Sequence, residues 1–266
     1  MFAPVHHTPL AYLIIAAVVA VSISALRNPR LFDTWRMHPY SIYRGRRIRS
    51  ILTSVFVHIN EMHLLINSML LCLALPEVEY MLVDDFGVIN GRLLLLFFIL
   101  FAALFVGMLT AIQYRKQRKH WSAGASALVM ALVLFFLIYF PVEPIAGMPA
   151  FASDVLPLWI ALVLLAALGI LALLKDPAGA IHLYGALAGI LLAFLIRPAS
   201  MTEIIRNADF SVASEESNNK PTGDDHAADH ADDGTAEESA FPAFTAFYSV
   251  RVMDRQTVHP LGDFQD

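Results

Sequence analysis

Apolar residues in this chain come in long blocks rather than at the spacing of an amphipathic surface helix. Six blocks, at residues 10–26, 51–75, 93–112, 122–140, 156–174 and 181–196, approach the roughly 20 residues that a helix needs to cross a bilayer. Helix is the expected form of each, because hydrocarbon offers no water to satisfy open backbone groups. The second block is interrupted by His58, Asn60, Glu61, His63 and Asn67. Its first half is therefore expected to be a loop dipping to the depth of a site, with the helix starting near Asn60 or Glu61. The sixth block is short, which suits an N-terminal end set below the surface in a water-accessible cavity. No Lys or Arg precedes the first block and it lacks a convincing small-residue cleavage site, so a span is expected there rather than a cleaved signal peptide. The pattern as a whole predicts an all-α polytopic membrane protein, a bundle of six transmembrane helices.

Composition agrees with that reading. The 266 residues are 58 % hydrophobic and 15 % charged, with a mean hydropathy of +0.61, whereas a soluble domain carries about a quarter charged residues. Charge also divides the chain. Residues 1–198 hold 14 Lys and Arg against 9 Asp and Glu, while residues 199–266 hold 4 against 14. Two parts are expected: a membrane domain over 1–198 and an acidic tail over 199–266. Within the tail, residues 214–240 have almost no large apolar side chains and are expected to be disordered. His226 and His230 lie four apart there, but a solvated linker fixes no ligands, so no metal and no cofactor are expected. The lone Cys72 excludes an intrachain disulfide and is expected to pack as a small apolar residue. Membrane lipids are the expected surroundings, and no nucleic-acid partner is expected.

Between the first two blocks, residues 27–50 carry seven arginines together with Trp35, Tyr40 and Tyr43. That mixture of rings and cations predicts a structured loop lying in the membrane interface.

Polar groups inside apolar blocks are expensive and therefore informative about chemistry. Ser126 follows Gly124 near the start of the fourth block. A glycine there keeps bulk away from a nucleophile, and a helix N-terminus favours a developing negative charge. Ala123, Ala127 and Ala131 recur every four residues as a small stripe for close helix packing. In the sixth block His182, Gly185 and Gly189 share one helical face, and Ala193 continues it. Two glycines four apart admit a second helix almost to backbone contact. The alanine stripe of the fourth block is the natural partner, which would carry His182 toward Ser126. A neutral imidazole in that position can remove the serine proton. His63 and Asn67 share a face of the second block and can donate hydrogen bonds to an oxyanion. No acidic residue is suitably spaced to orient His182, so a Ser–His dyad is expected rather than a triad.

The ordered set His58-x-x-x-x-His63-Leu64-x-x-Asn67, Gly124-x-Ser126 and His182-x-x-Gly185-x-x-x-Gly189 resembles the rhomboid intramembrane serine proteases. Glu79 and Gly87 also match that family's pattern, and the resemblance covers about residues 10–197. It implies Ser126 as nucleophile, His182 as general base, and an oxyanion hole of His63, Asn67 and the Ser126 backbone N–H. It also implies transmembrane proteins as substrates and a multi-pass location in a cell membrane, the inner membrane of a bacterium. His58 matches a structural position of the family. The chain departs from the family where Ala127 stands for a common glycine, Met130 for a common aromatic residue and Ile181 for a common alanine, and where Arg49-Ser50 replaces a Trp-Arg pair.

These departures keep a second expectation open, a non-catalytic rhomboid-like protein that binds transmembrane helices. A small transporter or channel is less well supported, since no matched pair of broken helices is present. Orientation is open as well. Six spans put both termini on one side, and the connections on the other side hold 12 Lys and Arg. Charge bias alone would turn that side to the cytoplasm, whereas the resemblance to bacterial rhomboids implies cytoplasmic termini. The latter is taken as the expectation.

Overall fold

A computed structural model of the chain describes residues 5–141 and 157–206. Two units are distinguished, Met1–Asn219 and Lys220–Asp266, and the second lies wholly outside the described residues. So do residues 214–240, with His226 and His230. Among the described residues there is no strand, only a single bridge between Met37 and Ser122.

The helices are α1 (Pro9–Arg27), three short helices α2 (Pro29–Trp35), α3 (Pro39–Ile42) and α4 (Ser50–Thr53), then α5 (Glu61–Phe86), α6 (Val88–Gln113), α7 (Ser126–Tyr139), α8 (Pro157–Leu173) and α9 (Pro177–Ile196). Local chemistry sets many of the starts. Proline occupies the first position of α1, α2, α3 and α9, where its missing N–H has no helical acceptor to lose. Asn28, Asn60 and Asp176 cap α2, α5 and α9 by accepting from first-turn N–H groups. At Gly87 the backbone turns to φ +79°, which ends α5 and lets α6 begin at once.

Four helices, α1, α5, α6 and α9, are long and apolar enough to cross a membrane, while α7 and α8 are apolar but shorter. The short length of α7 has a packing explanation. Ten of its 14 residues are buried, Leu132, Phe135 and Tyr139 fully, so it stands inside the bundle rather than against lipid. The outward faces of α5, α6 and α8 instead expose Leu65, Met69, Phe97, Leu100 and Val163. Cys72 is on such an exposed face of α5, not packed as expected.

Four boundaries differ from those expected, that of α6 among them: it begins at Val88 rather than at residue 93, directly after the Gly87 turn. The second helix does not stop at residue 75 but runs through Pro76 to Phe86, because Glu79 finds partners that stabilise it inside. Its carboxylate, fully buried, accepts the N–H groups of Ala11 (2.6 Å) and Leu10 (3.4 Å) at the start of α1 and pairs with Arg92 Nε at 3.0 Å. The fourth helix starts at Ser126 rather than at residue 122, since Ser122 and Met37 exchange backbone hydrogen bonds (2.8 and 3.0 Å) and hold that stretch extended. Ala123 of the alanine stripe is consequently outside the helix. The sixth begins at Pro177, a turn before residue 181, because Asp176 caps it. Beyond residue 198 the described chain continues onto the bundle: Ser200 Oγ donates to Tyr139 O at 2.9 Å and Arg197 pairs with Glu203 at 2.7 Å.

Candidate active site

Among the described residues α7 and α9 make the closest helix crossing. A Cβ built on Gly185 would stand 2.1 Å from Ala127 O, and one on Gly189 would stand 2.1 Å from Ala131 O. No side chain fits in either gap, so the two helices touch through backbone. The paired offsets run in the same direction, so α7 and α9 are parallel and their first turns lie at one end of the bundle. Ser126, the residue before Ala127, and His182, three before Gly185, both belong to that end and are both half-buried.

Ser126 is the first residue of α7, and Ala125 in front of it offers no side-chain cap. The first N–H of this turn to find a helical acceptor is that of Val129, on Ala125 O at 2.9 Å. The donors before it therefore face the mouth of the bundle with the positive end of the helix dipole. Gly124 precedes them at φ +123°, and a Cβ there would meet His63 Cε1 at 2.6 Å. Glycine is thus demanded twice, by the backbone and by the imidazole lying against it.

His63 sits in the first turn of α5, where Asn60 Oδ1 accepts its N–H at 2.8 Å. One turn on, Asn67 is buried. Its Nδ2 donates to His63 O at 2.8 Å, and its Oδ1 has no partner among the described residues. The second Nδ2 hydrogen remains available. His63 and His182 lie within electrostatic range of each other. All seven residues expected at a site, Ser126, His182, His63, Asn67, Gly124, Gly185 and Gly189, thus belong to the mouth end and the α7–α9 crossing. Among the described residues Ser126 Oγ makes no hydrogen bond, to His182 or to any other group.

What holds the segment before Ser126 was not legible beforehand. Gly124 donates its N–H to Ser54 O at 2.9 Å, Ser122 pairs with Met37, and Ala125 donates its N–H to His58 Nε2 at 3.2 Å. The connection from α1 to α5, through Met37, Ser54 and His58, therefore fixes the start of α7. The bond from Ala125 also assigns the histidine tautomer. An accepting Nε2 carries no proton, so the proton is on Nδ1, 2.7 Å from Ser22 Oγ. The Ser22 hydroxyl in turn donates a hydrogen bond to Phe56 O at 2.8 Å. Ser22, one of two serines in the first span and the buried one, was the available signal. The His58 ring, fully buried, also meets His63 edge-on at 5.1 Å.

Around this segment His38 stacks on Trp121 at 4.0 Å and His120 on Tyr114 at 3.9 Å. Burial, with nearby His38 adding to it, pushes the His120 pKa below the usual histidine range. A small cavity of about 30 Å³ separates the start of α7 from α6 and the first connection, lined by Ser54, Thr110, Ser122 and Gly124 among others. Among the described residues no cluster of His, Cys, Asp and Glu is suited to a metal.

Chemically, the arrangement offers a hydroxyl at a helix N-terminus, an imidazole at the same end of the neighbouring helix, and amide and imidazole donors across a glycine. A family model described as Rhomboid domain matches residues 45–199, more than half of the chain. No curated protein matches the chain.

Proposed function

The chain belongs to the rhomboid family, and we propose that it is an intramembrane serine endopeptidase acting through Ser126 and His182. The observation that carries this reading is the backbone-close crossing of α7 and α9, Gly185 on Ala127 and Gly189 on Ala131, which sets the two residues at one end of one helix pair. On this reading all six long helices, α7 and α8 included, make up a membrane domain over residues 1–198, with an acidic tail after it. The membrane is a cell membrane, the inner membrane of a bacterium.

Ser126 Oγ attacks the scissile carbonyl carbon while His182 takes its proton. The oxyanion is met by the Ser126 N–H, the free Nδ2 hydrogen of Asn67 and the His63 ring, and removing one such donor typically costs about 10²–10³-fold in kcat. His182 then protonates the leaving amine, and the acyl-enzyme is hydrolysed by a water that His182 deprotonates. Substrates are transmembrane segments whose helix unwinds readily at Gly, Ala, Ser or Pro, because a hydrogen-bonded helix hides its carbonyls. Purified full-length chain in liposomes should cleave a model transmembrane substrate, with cleavage abolished by Ser126→Ala and by His182→Ala. Undiminished cleavage by Ser126→Ala would refute the assignment.

A non-catalytic binder of transmembrane helices is the second reading, favoured by the missing hydrogen bond at Ser126 Oγ and by Ala127, Met130 and Ile181. Catalytic hydrogen bonds often tighten only with substrate bound, so a fluorophosphonate probe decides. Labelling that Ser126→Ala removes supports the protease; folded protein that neither labels nor cleaves supports the binder.

A further inference from the structure

The mouth end of the bundle is strongly basic, and the catalytic reading makes no use of that charge. The connections from α1 to α5, α6 to α7 and α8 to α9, counted with the flanking Arg27 and Glu61, hold twelve Lys and Arg against three carboxylates, Asp33, Glu61 and Asp176. Among the described residues only Arg36 and Arg47 of the twelve form ion pairs, both with Asp33. These two are structural. Arg36 also stacks on Trp121 at 3.7 Å, and Arg47, at a left-handed φ of +57°, donates to the carbonyls of Asp33 and Arg36. Arg36 and Arg47 together hold the Asp33 carboxyl below the usual aspartate range, the Arg36 hydrogen bond contributing most. Its charge is thus already matched.

The remaining cations are turned outward. Arg44, Arg46 and Arg49 are exposed on the turn between α3 and α4. They alternate with apolar side chains that are also exposed: Tyr43 at 59 %, Ile48 at 57 %, and Leu52 in α4 at 37 %. Aromatic rings carry some of the guanidinium groups, Arg44 over Tyr40 at 3.6 Å and Arg115 over Tyr43 at 5.6 Å. Between this turn and α2 lies an open depression of about 530 Å³, lined by Thr34, Arg47, Ile48, Arg49 and Ser50 with Asp33. Cations beside exposed aliphatic and aromatic side chains suit one environment, the boundary between phosphate headgroups and acyl chains, where each kind finds its own solvent. A solvated basic loop would have no use for exposed Ile48 and Leu52.

We propose that the basic face beside the mouth, centred on the depression between α2 and the Arg44–Arg49 turn, is a docking surface for the headgroups of anionic phospholipids. Arg49 supplies donors for a phosphate in the depression, while Arg44 and Arg46 face its neighbours. Because this same connection holds Gly124 and Ala125 in front of Ser126, a headgroup bound there also steadies the start of α7. The inference rests on the membrane reading of the chain and not on proteolysis.

The test uses the full chain with Trp159→Phe, which leaves Trp35 and Trp121, both at the mouth end, as the fluorophores. Reconstituted into phosphatidylcholine vesicles, it is quenched by brominated phosphatidylglycerol or by brominated phosphatidylcholine. One cation at an anionic surface is worth about fivefold in affinity, so a preference for the anionic lipid on the order of tenfold is expected, falling to within about twofold of unity in Arg44→Gln/Arg46→Gln/Arg49→Gln. The corresponding triple Lys variant controls for folding and should keep most of the preference. Equal quenching by the two lipids overturns the proposal, as does a preference that survives in the Gln variant. A preference that inorganic phosphate erases at unchanged ionic strength marks a phosphate-ion site instead, and also overturns it. Ser126→Ala should keep the preference in full, so failure here and failure of the protease reading are distinguishable.

Discussion

The two ends of the bundle differ in how completely their buried polar atoms are paired. At the end away from the mouth they are saturated. Glu79 accepts two backbone N–H groups and Arg92, Tyr139 donates to Asp85 at 2.6 Å, and Arg197 joins Tyr139 O to Glu203. Toward the mouth, Asn67 Oδ1, Ser68 Oγ and His120 Nε2 have no partner among the described residues, and Ser126 Oγ is unbonded. An unsatisfied buried polar group costs about 1–3 kcal/mol. A fold that saturates one end and leaves several such groups near the other is using the first for stability and holding the second ready to bind something. Segments that carry no chemistry themselves, residues 120–125, are tied down by backbone bonds, so the open valences belong to side chains held in place.

Breaking the saturated end should cost stability first. Glu79→Ala would strand the N–H groups that begin α1 and leave Arg92 without its carboxylate. Removing one partner of a buried pair costs about 3–5 kcal/mol, and with Arg92 one-third exposed (33 %) the lower end, about 3 kcal/mol, is expected. Denaturant titration in detergent measures it, and the folded fraction should retain its specific activity. Wild-type stability in this variant would remove the contrast between the two ends. The crossing of α7 and α9 should respond in the opposite manner. In Gly185→Ala a methyl would stand 2.1 Å from Ala127 O, forcing the helices apart next to the site. A displacement of about 1 Å can cost about 10²-fold in kcat. Gly189→Ala meets the same obstruction one turn deeper and should cost less activity for a similar shift in unfolding midpoint. An undiminished kcat in folded Gly185→Ala would show that the crossing matters for stability alone.

How much of this was legible in the sequence depends on the range of the interaction. The α7–α9 contact was, because Gly185, Gly189, Ala127 and Ala131 repeat at helical spacing and small residues in apolar segments have one common use. The start of α5 was legible too, since Asn60 is a strong capping residue. The run of α5 past residue 75 was not. Pro76 and four acidic residues from Glu77 to Asp85 read as an end, and only the start of α1 and Arg92, distant in sequence, make Glu79 tolerable inside. Fixation of residues 122–125 by Met37, Ser54 and His58 was equally hidden, because backbone carbonyls leave no mark in a sequence. Ser22 and His58 were visible as polar residues in apolar blocks, but nothing local announces that they share a proton.

That pair sharpens the contrast by testing whether the mouth is held as tightly as it is left open. His58→Phe keeps a ring beside His63 but takes away the acceptor of the Ala125 N–H and the donor to Ser22 Oγ, whose hydroxyl keeps Phe56 O. A lost acceptor for a buried N–H costs about 1–3 kcal/mol; if half of that falls on the geometry at Ser126, kcat drops about two- to tenfold. KM should stay near the wild-type value, since His58 has no access to substrate. His58→Gln, whose amide can accept from Ala125 and donate toward Ser22, should recover much of the loss. A Phe variant that unfolds more easily but turns over normally would reduce His58 to a packing residue.

The smallest effect belongs to His120, whose Nε2 is buried without a partner and whose pKa is lowered by burial and by His38. In the folded chain this imidazole resists protonation, whereas in the unfolded chain it takes up a proton near pH 6.5. The unfolded state therefore binds more protons as pH falls below about 6.5, and stability declines with it, by less than the 1.4 kcal/mol per pH unit or so that one full proton would give. Above that pH the group is neutral in both states and contributes no slope. His120→Phe retains a ring to stack on Tyr114 and removes the titration, so its unfolding free energy should fall less steeply between about pH 6.5 and 5. Identical slopes in the two proteins would mean that the orphaned nitrogen finds water in the native state, and that the mouth is wetter than its burial suggests.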